Sequence, residues 1–204
     1  MKKRLITVSL AIFSLAACTK SVDNVINGVP VKSVIAAITD SSQFIKYTIL
    51  KGQQYCDKRT YQAVKYDQLS FTVKFDSSAI YKTTDLKNQN DINKLFGFSD
   101  NNAAHHEFSA RFGWRWSNNA LHLFGYIYNN SVMSNRELGT VTIGSENNCT
   151  IKVSDSTYIF TVNNKSVTMP RASKTLKAEG YKLYPYFGGD EMAPHTISIW
   201  IKEL

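Results

Sequence analysis

Apolar residues recur at every second position through much of this chain. In residues 70–75, Phe71, Val73 and Phe75 alternate with Ser70, Thr72 and Lys74. In residues 108–116, Phe108, Ala110, Phe112, Trp114 and Trp116 alternate with Ser109, Arg111, Gly113 and Arg115. Successive side chains of a pleated strand point to opposite faces, so this period belongs to half-buried strands and not to a helix surface. The pattern returns at Ile151 and Val153, at Tyr158, Phe160 and Val162, and at Ile197, Ile199 and Ile201. Residues 120–128 are apolar on both faces, as expected of a central strand covered on both sides.

Turn signals separate these runs. Asn-Asn pairs begin at 101, 118, 129, 147 and 163, and asparagine tolerates a left-handed backbone while bonding its own chain. Residues 117–120 and 163–164 therefore read as hairpin turns. The one helical candidate is 85–96, where residues 91–96 could make a turn or two. Many short strands with few prolines predict an all-β chain, a two-sheet antiparallel jelly-roll-like β-sandwich with at most one or two short helices. An Ig-like sandwich is the alternative, since Cys56, Trp114 and Cys149 follow the Cys-Trp-Cys order, but the two cysteines stand too far apart for one such domain.

The first eighteen residues address location. Lys2, Lys3 and Arg4 precede a short apolar run, 5–15, and Leu15-Ala16-Ala17-Cys18 closes it, the layout of a secretory signal peptide. The run is too short for a bilayer span, which takes about 20 apolar residues. Leu15-Ala16-Ala17-Cys18 resembles the lipobox of bacterial lipoproteins. That resemblance implies a signal peptide over 1–17, lipidation of Cys18, a membrane held through the lipid anchor, and a tether over 18–40 broken by Asn27-Gly28 and Pro30. A single sandwich domain would follow over 41–204. Thr19 stands where many inner-membrane lipoproteins carry aspartate, so the resemblance implies export to the outer membrane. The segment 180–201 is also similar to C-terminal segments of uncharacterised surface lipoproteins with sandwich domains.

The net charge is +8, and Lys2, Lys3 and Arg4 contribute three of those charges to the leader. The remaining cations are dispersed, with no basic block that reads as a nucleic-acid arm. With Cys18 assigned to lipid, Cys56 and Cys149 remain, either bridged in an oxidising compartment or as two separate buried thiols.

The chemistry-bearing residues cluster in 108–128. If Phe112 and Trp114 face the core, Arg111 and Arg115 project from the other face, and the next strand places His122, Phe124, Tyr126 and Tyr128 together. Should those faces coincide, Arg111, Arg115, His122, Tyr126 and Tyr128 would form a glycan-binding surface, with aromatic faces for sugar rings and guanidinium forks for carboxylate or sulfate. The plainer reading is sheet packing with cation–π contacts. The stretch 123–130, Leu-Phe-Gly-Tyr-Ile-Tyr-Asn-Asn, is similar to the tyrosine-asparagine strand motif of jelly-roll alginate lyases. That resemblance implies β-elimination, with Arg111 or Arg115 neutralising a uronate, His122 as base and Tyr126 or Tyr128 as acid. The chain departs from the family in placing this motif mid-chain, without an Arg-Glu-Arg or a Gln-x-His strand.

Two smaller groups complete the candidates. Asp100, His105, His106 and Glu107 precede a strand, and adjacent histidines in an extended chain point apart, so an exposed loop is expected rather than zinc. Gly188-Gly189-Asp190-Glu191 reads as an acidic turn, with Asp190 and Glu191 as candidate ligands of a structural Ca²⁺ and no other cofactor expected. No phosphate-binding, nucleophile-elbow or metalloprotease motif occurs. The sequence therefore points to a lipid-anchored envelope protein, more binding than catalytic, whose sandwich takes a polysaccharide or an envelope protein partner. A jelly-roll lyase or glycosidase is the alternative, and a structural lipoprotein without ligand a further one.

Overall fold

A computed structural model describes residues 43–204, together with the backbone of a short antiparallel pair, β1 (Val25–Ile26) and β2 (Val29–Pro30). The leader, Cys18 and most of the expected tether lie outside the described residues. The rest forms two six-stranded antiparallel sheets, a jelly-roll β-sandwich as the alternation requires. The first sheet contains β3 (Ile45–Ile49), β5 (Gln68–Phe75), β10 (Glu146–Val153), β11 (Thr157–Val162), β12 (Lys165–Pro170) and β14 (Ile197–Glu203), in the order β12-β11-β10-β5-β14-β3. The second contains β4 (Ala63–Tyr66), β6 (Asn93–Ser99), β7 (Phe108–Ser117), β8 (Ala120–Asn129), β9 (Val132–Val141) and β13 (Ala178–Leu183), in the order β4-β13-β6-β7-β8-β9.

Alternate residues of each sheet meet in one core. Phe71, Val73 and Phe75 of β5 face Phe112 and Trp114 of β7, joined by Phe160 of β11 and the isoleucines of β14. Phe112 is the hub, packing edge-on to Phe71 at 5.6 Å and to Phe160 at 5.3 Å, the arrangement aromatic quadrupoles favour. The reciprocal residues, Arg111 and Arg115 on β7 and His122, Phe124, Tyr126 and Tyr128 on β8, lie on the outer face of the second sheet. That face carries the candidate site.

Three expectations need correction. Residues 91–96 are not helical: a short 3₁₀ turn, Leu86–Asn90, is capped by the Asp85 carboxylate, and β6 begins at Asn93. A β-bulge explains why the strand was hidden. Lys94 pairs with Gly113 and Gly97 with Arg111, so β6 carries one residue more than β7 over this stretch, and Leu95 and Phe96 both reach the core. Two consecutive apolar residues break the period-two signal. The Asn-Asn pair at 147 lies inside β10, whereas Asn101, Asn102, Asn118, Asn119, Asn130 and Asn163 do adopt positive φ.

The third concerns the cysteines. Cys56 and Cys149 are free and buried. Cys149 sits on β10, while Cys56 pairs with Ile49 of β3, and β5 and β14 separate those strands. Three strand spacings of about 4.8 Å exceed the roughly 7 Å Cα reach of a disulfide.

The loop after β6 is held from inside. Asp100 is fully buried and accepts from Arg171 Nε at 2.7 Å, Tyr158 hydroxyl at 2.6 Å and the Asn101 N–H at 2.6 Å. Arg171 Nη2 reaches the carbonyls of Thr175 and Lys177 at 2.7 and 3.1 Å. This network ties segment 171–177 and β11 to the loop that carries His105 and His106.

Candidate functional site

A cavity of about 430 Å³ opens on the outer face of the second sheet. Its floor is Arg111 of β7 and Tyr126 of β8, directly paired in register, with the guanidinium 5.4 Å from the ring centroid. Gly97 of β6 lies on the other side of Arg111, and a Cβ there would stand 2.4 Å from the Arg111 Cα. Only glycine lets these two backbones approach this closely. The bulge beside it places Lys94 at the cavity, its ammonium 5.2 Å from the same Tyr126 ring and donating to the Gly188 carbonyl at 2.9 Å.

Aromatic side chains wall the cavity. Tyr126 and Tyr128 stand 6.0 Å apart, His106 packs on Tyr128 at 5.1 Å and on His105 at 4.2 Å. On the opposite rim Tyr55 meets Tyr186 edge-on at 4.9 Å and carries the Arg59 guanidinium 4.5 Å above its ring. The His105 Nδ1 meets the Tyr181 hydroxyl at 2.8 Å. None of the described residues lining the cavity is Asp or Glu.

The electrostatics follow from that composition. Arg111 is 6% exposed, and its Nε has no hydrogen-bond partner. Burial lowers its pKa, and the surrounding tyrosines act in the opposite sense. Burial and the neighbouring Arg111 pull the Lys94 ammonium down to about 8. The same two causes, with His106 added, lower His105 to about 4, so its imidazole is neutral at physiological pH. Burial, with Tyr128 beside it, pushes the Tyr126 phenol up to about 12. Arg111 and Lys94 are thus two partly desolvated cations with no carboxylate among the residues lining the cavity, and Asp91 and Asp190 act on Lys94 from outside that lining.

The five residues expected to act together divide into two groups. Arg111, Tyr126 and Tyr128 line the cavity. Arg115 and His122 share the sheet face but lie beyond Phe124, and each is engaged elsewhere. Arg115 donates to the Asn90 carbonyl at 2.8 Å with its guanidinium 4.9 Å from the Phe124 ring. His122 meets Glu137 at 2.7 Å and the Ser117 carbonyl at 3.1 Å. The histidines at the cavity are instead His105 and His106. They were expected to point apart in an extended chain, but 101–107 is a turn, which turns both rings into the cavity. Lys94, Arg59, Tyr55 and Tyr186 gave no sequence signal, since they arrive from three different segments.

The acidic turn serves as an anchor. Glu191 accepts from the N–H groups of Thr84 and Asp85, both at 2.8 Å, and from Asn88 at 2.9 Å. Those donors hold its carboxylate below the usual range. Among the described residues no group of three His, Cys, Asp or Glu is placed to hold a metal ion.

Fold and cavity together define a jelly-roll sandwich with a cationic, aromatic-walled cavity on one outer face. No known protein family matches the chain, and no curated protein matches it. Solved structures do share the fold. Alginate lyase AlyC3 superposes with a TM-score of 0.53 at 12% identity, covering 78% of this chain and 73% of that one. AlyC3 in complex with dimannuronate gives 0.50 at 12% identity over 80% and 73% of the two chains. The laminarinase catalytic domain of Thermotoga maritima MSB8 gives 0.51 at 7% identity, over 78% and 75%. At these identities the likeness is one of fold.

Proposed function

We propose that this protein is an exported, lipid-anchored envelope protein whose sandwich binds an anionic glycan at Arg111. The observation that carries this reading is the Arg111 guanidinium, buried, with Nε unpartnered and with Lys94 as its charged neighbour in place of a carboxylate. A uronate carboxylate or sulfate ester supplies the planar acceptor that such a fork takes in pairs. The tyrosine walls offer faces for sugar rings. A solved protein of this fold is an alginate lyase crystallised with dimannuronate, which supports a glycan as the ligand class. The Leu15-Ala16-Ala17-Cys18 motif supports lipid attachment at Cys18 and outer-membrane residence.

Calorimetric titration of the soluble domain with dimannuronate and with a neutral disaccharide tests the cavity. Binding is expected for the charged sugar alone and is lost in Arg111→Gln; equal binding of both sugars, or an unaffected variant, overturns the reading. Metabolic labelling with a fatty acid tests the anchor, with incorporation expected in the wild type and absent in Cys18→Ala.

A second reading is β-elimination on the same sugar, favoured by the neutral His105 beside Arg111 and the two tyrosines. Arg111 would hold the carboxylate, His105 would take the proton alpha to it as the bond to the glycosidic oxygen breaks, and Tyr126 or Tyr128 would protonate the departing oxygen. The unsaturated product absorbs in the ultraviolet, so a polyuronate digest without rising absorbance removes this reading and leaves binding intact. Carboxylate-pair hydrolysis requires two acids flanking the bond, and the cavity lining offers none.

A further inference from the structure

The outer face of the first sheet carries a second cationic surface. Lys46 of β3 and Lys74 of β5 are the register partners of Trp200 of β14, one on each side. The Lys46 ammonium stands 5.3 Å from the Trp200 ring, and those of Lys74 and Lys202 stand 5.1 and 5.3 Å from the Phe44 ring. None of the three lysines is in an ion pair among the described residues, and Glu146, the register partner of Lys74, forms none with it. Three ammonium groups therefore gather round two rings on one sheet face, while five Lys or Arg side chains elsewhere among the described residues are paired with carboxylates.

The core lies between the sheets, so this face and the Arg111 cavity look in opposite directions. We infer that it is a second binding surface for a polyanionic glycan, independent of the cavity, and that the sandwich can hold two such chains at once. Charge complementarity sets the partner's sign, and the aromatic rings suit sugar faces. Phe44 and Trp200 are half-buried with lysine ammonium groups over their rings, so neither is offered as a bare apolar anchor for a bilayer, which sets a glycan above an anionic membrane. A flat, unwalled surface also differs from the cavity in what it prefers: it gains from many weak contacts along a long chain and little from a disaccharide.

The test uses long alginate immobilised on a sensor surface, a second, fluorescent alginate in solution, and the triple variant Lys46→Gln, Lys74→Gln, Lys202→Gln. Wild-type protein bound to the surface is expected to capture the soluble chain. The triple variant is expected to bind the surface through its cavity, to bind long alginate about tenfold more weakly, as the loss of three surface charge contacts implies, and to capture no second chain. Arg111→Met is expected to retain surface binding through the lysine face while losing dimannuronate. A triple variant that folds with the wild-type thermal midpoint and still bridges two chains overturns the inference. So does a triple variant whose only defect is on phosphatidylglycerol vesicles. If Arg111→Met keeps dimannuronate affinity while the triple variant loses alginate, the cavity reading fails and this one stands.

Discussion

Replacing Asp100 with asparagine keeps the shape of the side chain and removes its charge. Arg171, whose side chain is 1% exposed, then has no counter-ion, and the amide nitrogen faces donors that the carboxylate had accepted, among them Tyr158 and Ser173. Leaving one member of a buried pair alone costs about 3–5 kcal/mol. For a domain of this size each kcal/mol moves the midpoint by about 2–4 °C, so Asp100→Asn should melt about 6–20 °C lower. The pH dependence carries the same signature. Burial raises the Asp100 carboxyl, but Arg171, Tyr158 and the Asn101 N–H more than offset it and hold it below the usual carboxylate range. A depressed folded-state value stabilises above the unfolded value, about 4, and that contribution is lost as pH falls through the folded value. Urea unfolding followed by circular dichroism, from neutral pH into acid, should therefore show the wild-type advantage shrinking below about pH 4. The cycle closes with Arg171→Met, since the double variant should be less destabilised than the sum of the singles. A loss under about 1 kcal/mol, or a difference that persists unchanged into acid, would refute the assignment of Asp100 and Arg171 as a charged pair.

Arg111 predicts the opposite sign: Arg111→Met should leave the ligand-free protein as stable as the wild type or about 1 kcal/mol more stable, while calorimetry shows no dimannuronate binding. Lys94 should make binding pH-dependent, with affinity for dimannuronate falling as pH rises through about 8 and the profile flat in Lys94→Met. In the ligand-free protein the depressed Lys94 value means that stability relative to Lys94→Met rises with pH between about 8 and the unfolded value near 10.4. Because Cys56 and Cys149 are free, a reductant should leave the urea midpoint unchanged, and a shift to lower urea would indicate a bridge between them.

The fold was legible wherever side chains report it locally. Alternation in 70–75, 108–116 and 151–162 located β5, β7, β10 and β11, because each has one face in the core and one outside. The signal failed at Leu95 and Phe96, where the extra residue in β6 sends neighbours to the same side. The site was half legible for a related reason. Arg111, Tyr126 and Tyr128 could be placed on one face because β7 and β8 form a hairpin whose register follows from its turn at 118–119. Lys94, His105 and Tyr186 reach the cavity by a bulge, a turn and an irregular segment, and no local pattern encodes where those end. Arg115 and His122 satisfied the pattern and still fell outside, since sharing a sheet face does not fix which partners a long side chain finds.

The bulge in β6 makes the binding charge a matter of counting. Leu95 and Phe96 together stand opposite Phe112, so the bulge absorbs the additional residue and keeps both Lys94 and Gly97 on the outer face. Deleting Phe96 would restore an unbroken ladder with β7 without altering any charge, and would leave Lys94 opposite Gly113 on the outer face with Leu95 alone opposite Phe112. Closing the bulge by register slip, with Phe96 retained, would instead set Lys94 opposite Trp114 and toward the core, leaving the cavity with Arg111 and without Lys94.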